Sequence, residues 1–165
     1  MLGKKIFFIK EFMKLQNIKK QIDFEEYLSL YTKEKLQAII NDEIHNDRNE
    51  EKNLSGIHFT LTYKDENTPI DEDLLDRILQ RIKFEIRQTD ILVKWNESEF
   101  ILLLPECTIE SAQKIAFLLK GIIETKDYNG KRVELKYSIT SHNSDDTVES
   151  FLNRIEAKLE PLKVH

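Results

Sequence analysis

Glycine and proline are scarce, four and three in 165 residues. Their scarcity excludes a collagen-like repeat, a flexible linker protein and a low-complexity chain. The single cysteine, Cys107, can build neither an internal disulfide framework nor a multi-cysteine zinc site. No apolar run approaches the about 20 residues that span a bilayer; the longest lies near Ile101–Leu104. An excess of positive charge is also missing, with 25 Lys and Arg against 30 Asp and Glu, a formal net charge of −5. Proteins that live by non-specific phosphate contacts are usually basic, so bulk nucleic acid is not the expected partner, although a local basic site stays open. The opening MLGKKIFFIKEF begins like a signal peptide. Its apolar core is only Ile6–Ile9 before Lys10 interrupts it, short of the about 7–15 residues such a segment carries. The chain is therefore expected to be cytoplasmic, which leaves the Asn-x-Ser triplets at Asn53 and Asn96 without a glycosylation meaning.

What is present suits one globular domain: 40% hydrophobic residues supply a core, and 33% charged residues fit a soluble, helix-rich surface. From about Lys4 to Ile22, the residues Ile6, Ile9, Phe12, Met13, Leu15 and Ile18 recur at helical steps. This helix either packs on its own domain or serves as a dimerising or docking helix, and the chain divides into this segment (1–24) and a domain over 25–165. A second helix is expected over about Thr32–His45, with Thr32 as its cap and Lys35 where a capping box would have Glu. Asp47–Asn53 reads as a polar loop. Ile57–Tyr63, IHFTLTY, alternates like a strand. A helix follows over about Asp71–Arg87. Two short strands, Ile91–Trp95 and Phe100–Leu104, flank Asn96–Glu99 as a hairpin. Then come a helix over about Ile109–Thr125, a turn at Asn129-Gly130, a strand over Val133–Thr140, and a last helix from Asp145/Asp146 to about Leu159. About four strands with helices between most of them predict an α/β sandwich, a central mixed sheet flanked by helices.

From Thr32 to Lys163 this order resembles a GGDEF domain, the diguanylate cyclase fold related to the catalytic domains of adenylyl cyclases. The likeness is strongest over Arg87–Pro105, RQTDILVKWNESEFILLLP, with Asn96-Glu97-Ser98-Glu99-Phe100 standing where the family carries its Gly-Gly-Asp/Glu-Glu-Phe signature. Only Glu99 and Phe100 match. Ala112, Ile115 and Ala116 fit the helix that follows, and Phe151–Lys163 loosely fits the closing helix. Leu30-Tyr31 resembles the Leu-Tyr of the family's opening motif, with Leu28-Ser29 in place of its Thr-Gly.

The departures bear on function. The resemblance implies an Asp in the first strand to hold Mg²⁺, a hard cation that prefers oxygen anions. Here that strand reads Phe59-Thr60-Leu61-Thr62, with neutral hydroxyls at the candidate positions. The family's guanine-reading Asn and Asp and its Gly-His pair have no counterpart in the shortened Lys64–Asp71 segment. Its signature glycines let the backbone approach phosphates, whereas Asn96 and Glu97 put side chains there, and Glu97 would repel a triphosphate. These losses together predict a domain that does not catalyse and needs no metal or other cofactor. One element is retained. The family's product-binding Arg-x-x-Asp stands here as Arg87-Gln88-Thr89-Asp90, five residues before Asn96. Arg can take a guanine edge or a phosphate bidentately, and Asp can accept from guanine N–H groups. The resemblance thus implies a candidate cyclic di-GMP site of Arg87 and Asp90, with Lys114 one turn before Leu118, where some members carry a further Arg. The alternative is that Arg87 pairs with a carboxylate or caps its helix.

Glu97 and Glu99 read as solvated turn carboxylates rather than an acid/base pair. His58 reads as a surface or internally satisfied histidine, Cys107 as a small loop or core residue, and Trp95 as packing. Three functions are open: a receptor or adaptor in cyclic di-GMP signalling; a ligand-free protein–protein interaction module that associates through its N-terminal helix; and a residual diguanylate cyclase.

Overall fold

The computed structural model describes residues 33–45, 53–96 and 98–157. The expected N-terminal helix, the boundary at residues 24 and 25, the cap at Thr32, Glu97 and most of the 47–53 loop lie outside them. The described elements are α1 (Lys33–Ile44), β1 (Leu54–Tyr63), α2 (Glu72–Glu85), β2 (Ile91–Lys94), β3 (Glu99–Pro105), α3 (Ile109–Glu124), β4 (Val133–Ser141) and α4 (Val148–Ala157). β1 starts three residues before the alternation suggests. Leu54, Ser55 and Gly56 pair with Pro105, Leu104 and Leu103, so the ladder carries the strand through the glycine. α3 is capped by Thr108, whose side chain accepts from Ser111 N. α4 starts later than Asp145/Asp146 because Thr147 Oγ1 accepts from Ser150 N and takes the cap position.

The strand order is β2-β3-β1-β4. The expectation of a mixed sheet is corrected, because all three pairings are antiparallel. Helices between strands do impose parallel directions: β1 runs parallel to β2 across α2, and β3 to β4 across α3. In each case another strand sits between the two, so no parallel pair shares a ladder, the split βαβ arrangement. Among the described residues β2 and β4 are the edges.

Both faces are covered. Ile57, Phe59, Leu61 and Tyr63 alternate onto the face under α2 and α3, where Ile78, Ile82, Ala112 and Ala116 meet them. The other face carries Leu54, Val93, Ile101 and Leu103 against Leu36 and Ile40 of α1 and Phe151, Leu152 and Ile155 of α4. Gly56 lies on this second face. A Cβ there would stand 2.8 Å from Ile155 Cδ1, so the missing side chain lets α4 settle onto the centre of the sheet.

Candidate functional site

The β2–β3 hairpin holds the signature-like residues in its turn. Asn96 closes it as an Asx turn: its Oδ1 accepts from Ser98 N at 3.2 Å and Glu99 N at 2.9 Å. Asn96 Nδ2 also donates to Glu99 Oε2 at 2.6 Å. Trp95 N and Asn96 N both donate to the Glu99 carbonyl, and Leu61 N donates to Ser98 O, which ties the turn to β1. Phe100 is fully buried and stacks on Phe59 with ring centroids 5.3 Å apart. Trp95 packs on the core under α1 and α4, as expected.

Glu99 is not the solvated turn carboxylate that its position suggested. Its side chain is 16% exposed, and its Oε1 lies 3.0 Å from His58 Nε2, an ion pair when the ring is protonated. The imidazole is 1% exposed and its Nδ1 donates to the Ile155 carbonyl at 3.0 Å. His58 therefore bridges the signature carboxylate to the backbone of α4 through the middle of the sheet. It is the satisfied histidine of the two readings, not a surface one.

Thr60 lies two residues along the same face of β1 and is register partner to Glu99. The residues around a metal position of the family type are thus two neutral hydroxyls, Thr60 and Thr62, and a carboxylate whose two oxygens are both engaged. With a single anionic side chain among three, such a donor set is a poor match for Mg²⁺, which prefers several anionic oxygens.

Arg87 and Asp90 meet each other. They stand where α2 has ended and β2 has not begun. Asp90 Oδ2 accepts from Arg87 N at 2.7 Å, and Oδ1 accepts from Nε at 3.0 Å and Nη2 at 2.7 Å. Nη2 also donates to the Pro105 carbonyl at 2.6 Å, pinning the corner to the end of β3. The Asp90 side chain is 1% exposed and that of Arg87 47%. The hydrogen bond to Asp90 outweighs burial and raises the guanidinium above its ordinary value. The acid is thus spent inside the corner, while the guanidinium keeps an open side. Lys114 lines a separate groove along α3 with Phe117, Tyr137 and Ile139. Leu118 is 51% exposed and Phe117 74%. Cys107 is buried near this corner, and burial pushes its thiol up, against a smaller lowering from Arg87.

The reading of the sequence missed the bridging role of His58 and the partner it finds in α4. A signal was present: His58 alternates with Phe59 on β1, and the hairpin register sets that stretch against Glu99–Ile101. Its other partner is 97 residues away, which no local pattern reports.

Comparison with known proteins agrees with this architecture. The active GGEEF domain of a diguanylate cyclase from Vibrio cholerae superposes with a TM-score of 0.66 at 16% identity, covering 82% of this chain and 92% of that one. The diguanylate cyclase SiaD of Pseudomonas aeruginosa, solved with its activator SiaC, gives 0.65 at 16% identity, covering 98% and 70%. The GGDEF domain of DgcB from Caulobacter crescentus, solved in complex with c-di-GMP, gives 0.63 at 10% identity, covering 82% and 87%. No curated protein sequence matches. The family model described as "Diguanylate cyclase, GGDEF domain" matches residues 69–165, more than half of the chain. With a family match over more than half of its length, this chain belongs to the GGDEF domain family.

Proposed function

We propose that this is a non-catalytic GGDEF-family domain, acting as a receptor or adaptor in cyclic di-GMP signalling. The observation that carries the non-catalytic reading is the engagement of Glu99 by both His58 and Asn96. A carboxylate tied to two neighbours, beside threonines and a turn without glycine, makes a poor cradle for Mg²⁺ and a triphosphate. Incubation with GTP and Mg²⁺ is the test. No cyclic di-GMP above a no-enzyme blank is expected; product that Glu99→Ala abolishes would overturn the reading. The receptor role rests on Arg87, whose guanidinium keeps nearly half of its surface open beside an anchored carboxylate. Calorimetry with cyclic di-GMP should give a binding heat, and Arg87→Ala should remove the component bound at this corner.

A second reading, an interaction module without a ligand, is favoured by the closed Arg87–Asp90 pair and by Phe117 and Leu118 standing exposed on α3. No heat at millimolar cyclic di-GMP would select it.

A further inference from the structure

α2 and α3 lie antiparallel on one face of the sheet and leave between them a cleft of ≈ 580 Å³. Arg77 and Arg81, one turn apart on α2, and Lys126, just past α3, line it, and among the described residues no acidic one does. This is a local reversal of sign in a chain of net charge −5. Within the cleft are two aromatic rings, Phe84 and Tyr128, and the side chain of Ile122. Lys126 Nζ stands 5.9 Å from the Tyr128 ring centroid. The Tyr128 hydroxyl donates to Ile123 O, so the ring is held in place at the end of α3. Arg81 pairs with Glu85 only loosely, at 3.5 Å, with 58% of its own side chain exposed.

Two guanidinium forks at i, i+4 spacing lie close enough to share one phosphate group, each presenting paired donors to its oxygens. Aromatic rings and guanidinium planes offer stacking surfaces for a flat heterocycle. The volume falls within the about 300–1,000 Å³ of small-molecule sites. We propose that this cleft binds a small ligand combining phosphate with a planar aromatic body, of the nucleotide or cyclic dinucleotide class. The site goes beyond the function proposed above, because Arg87 and Asp90 are not among its lining residues.

The test is calorimetry of the full chain with cyclic di-GMP, GTP and inorganic pyrophosphate. Wild type, the double variant Arg77→Ala/Arg81→Ala and Arg87→Ala are compared. Arg77 and Arg81 are exposed, so the double variant leaves the core intact, and its circular dichroism should match wild type. At least one of the two nucleotides should bind more tightly than pyrophosphate. Losing two charge-assisted contacts should weaken binding in the cleft at least about tenfold, and a nucleotide-binding component that the double variant removes should persist in Arg87→Ala. Silence of all three ligands at millimolar concentration would overturn the proposal. So would loss of all nucleotide binding in Arg87→Ala with none lost in the double variant, which would place the ligand at the Arg87 corner alone. Pyrophosphate binding as tightly as either nucleotide would show the aromatic rings idle and overturn it as well.

Discussion

His58→Ala removes a side chain that joins the hairpin turn, the central strand and α4. Two hydrogen bonds of 3.0 Å go with it, one to the Ile155 carbonyl and one to the Glu99 carboxylate. A neutral bond is worth about 0.5–1.5 kcal/mol and one to a charged group about 1.5–3 kcal/mol. The imidazole is 1% exposed, so its removal also opens a small void beneath the turn. A loss of about 3 kcal/mol follows, set against the roughly 5–15 kcal/mol that holds a domain together. For a chain of this size each kcal/mol shifts the melting temperature by about 2–4 °C, so the variant should melt about 6–12 °C lower. Urea unfolding should show a lower midpoint with an unchanged slope. Glu99→Gln keeps an acceptor for the ring and loses only the charge, so it should cost about 1 kcal/mol. The combination His58→Ala/Glu99→Ala should fall short of additivity by at least about 1 kcal/mol, since the second change removes what the first has already broken. A melting shift under about 2 °C for His58→Ala, or strict additivity in the cycle, would refute the bridge.

Gly56→Ala should destabilise by about 1 kcal/mol, because its Cβ meets the terminal methyl of a buried isoleucine at 2.8 Å; adding Ile155→Val, which removes that methyl, should recover most of the loss in a thermal melt. Arg87→Ala strands the buried Asp90 carboxylate and should cost about 2 kcal/mol, less than a fully buried pair because Arg87 is half exposed. Arg87→Lys should recover little of it, since an ammonium cannot replace Nε and Nη2 together; equal melting temperatures for Lys and wild type would contradict this. At Asp146, burial pushes the carboxyl up, but hydrogen bonds from Arg154, Asn143 N and Ser150 outweigh it and hold the group below its ordinary value. Its stabilisation is present at neutral pH and lost as pH falls below about 4. Asp146→Asn should therefore flatten that part of the acid-unfolding curve.

Much of the local structure is legible in the sequence. The alternation of IHFTLTY, the apolar spacing of Leu74–Ile86 and the polar turn between Ile91–Trp95 and Phe100–Leu104 each report a periodicity of 2.0 or 3.6 residues, and the observed elements fall within a few residues of them. The ends shifted where a ladder or a hydroxyl cap decided them, at Leu54 and at Thr147. The resemblance around the hairpin was likewise carried by consecutive residues, and the family match over 69–165 agrees with it.

The sense of strand pairing was not readable, because a connecting helix sets the direction of the strands it joins and not which strand inserts between them. Side-chain partnerships across the sheet were equally out of reach. His58 and Ile155, 97 residues apart, meet only because Gly56 lets α4 close onto β1. Arg87 and Asp90 were placed correctly as neighbours across a corner, but the fold decides that the pair turns inward, by supplying the Pro105 carbonyl as a third anchor. The basic cleft likewise joins Arg77 and Arg81 to Lys126 and Tyr128 from a different helix end. Periodicity and turn chemistry are properties of neighbouring residues and are written along the chain. Burial, and the choice of partner for each charge, belong to the packed sheet and helices, where residues far apart in sequence share one low-dielectric space.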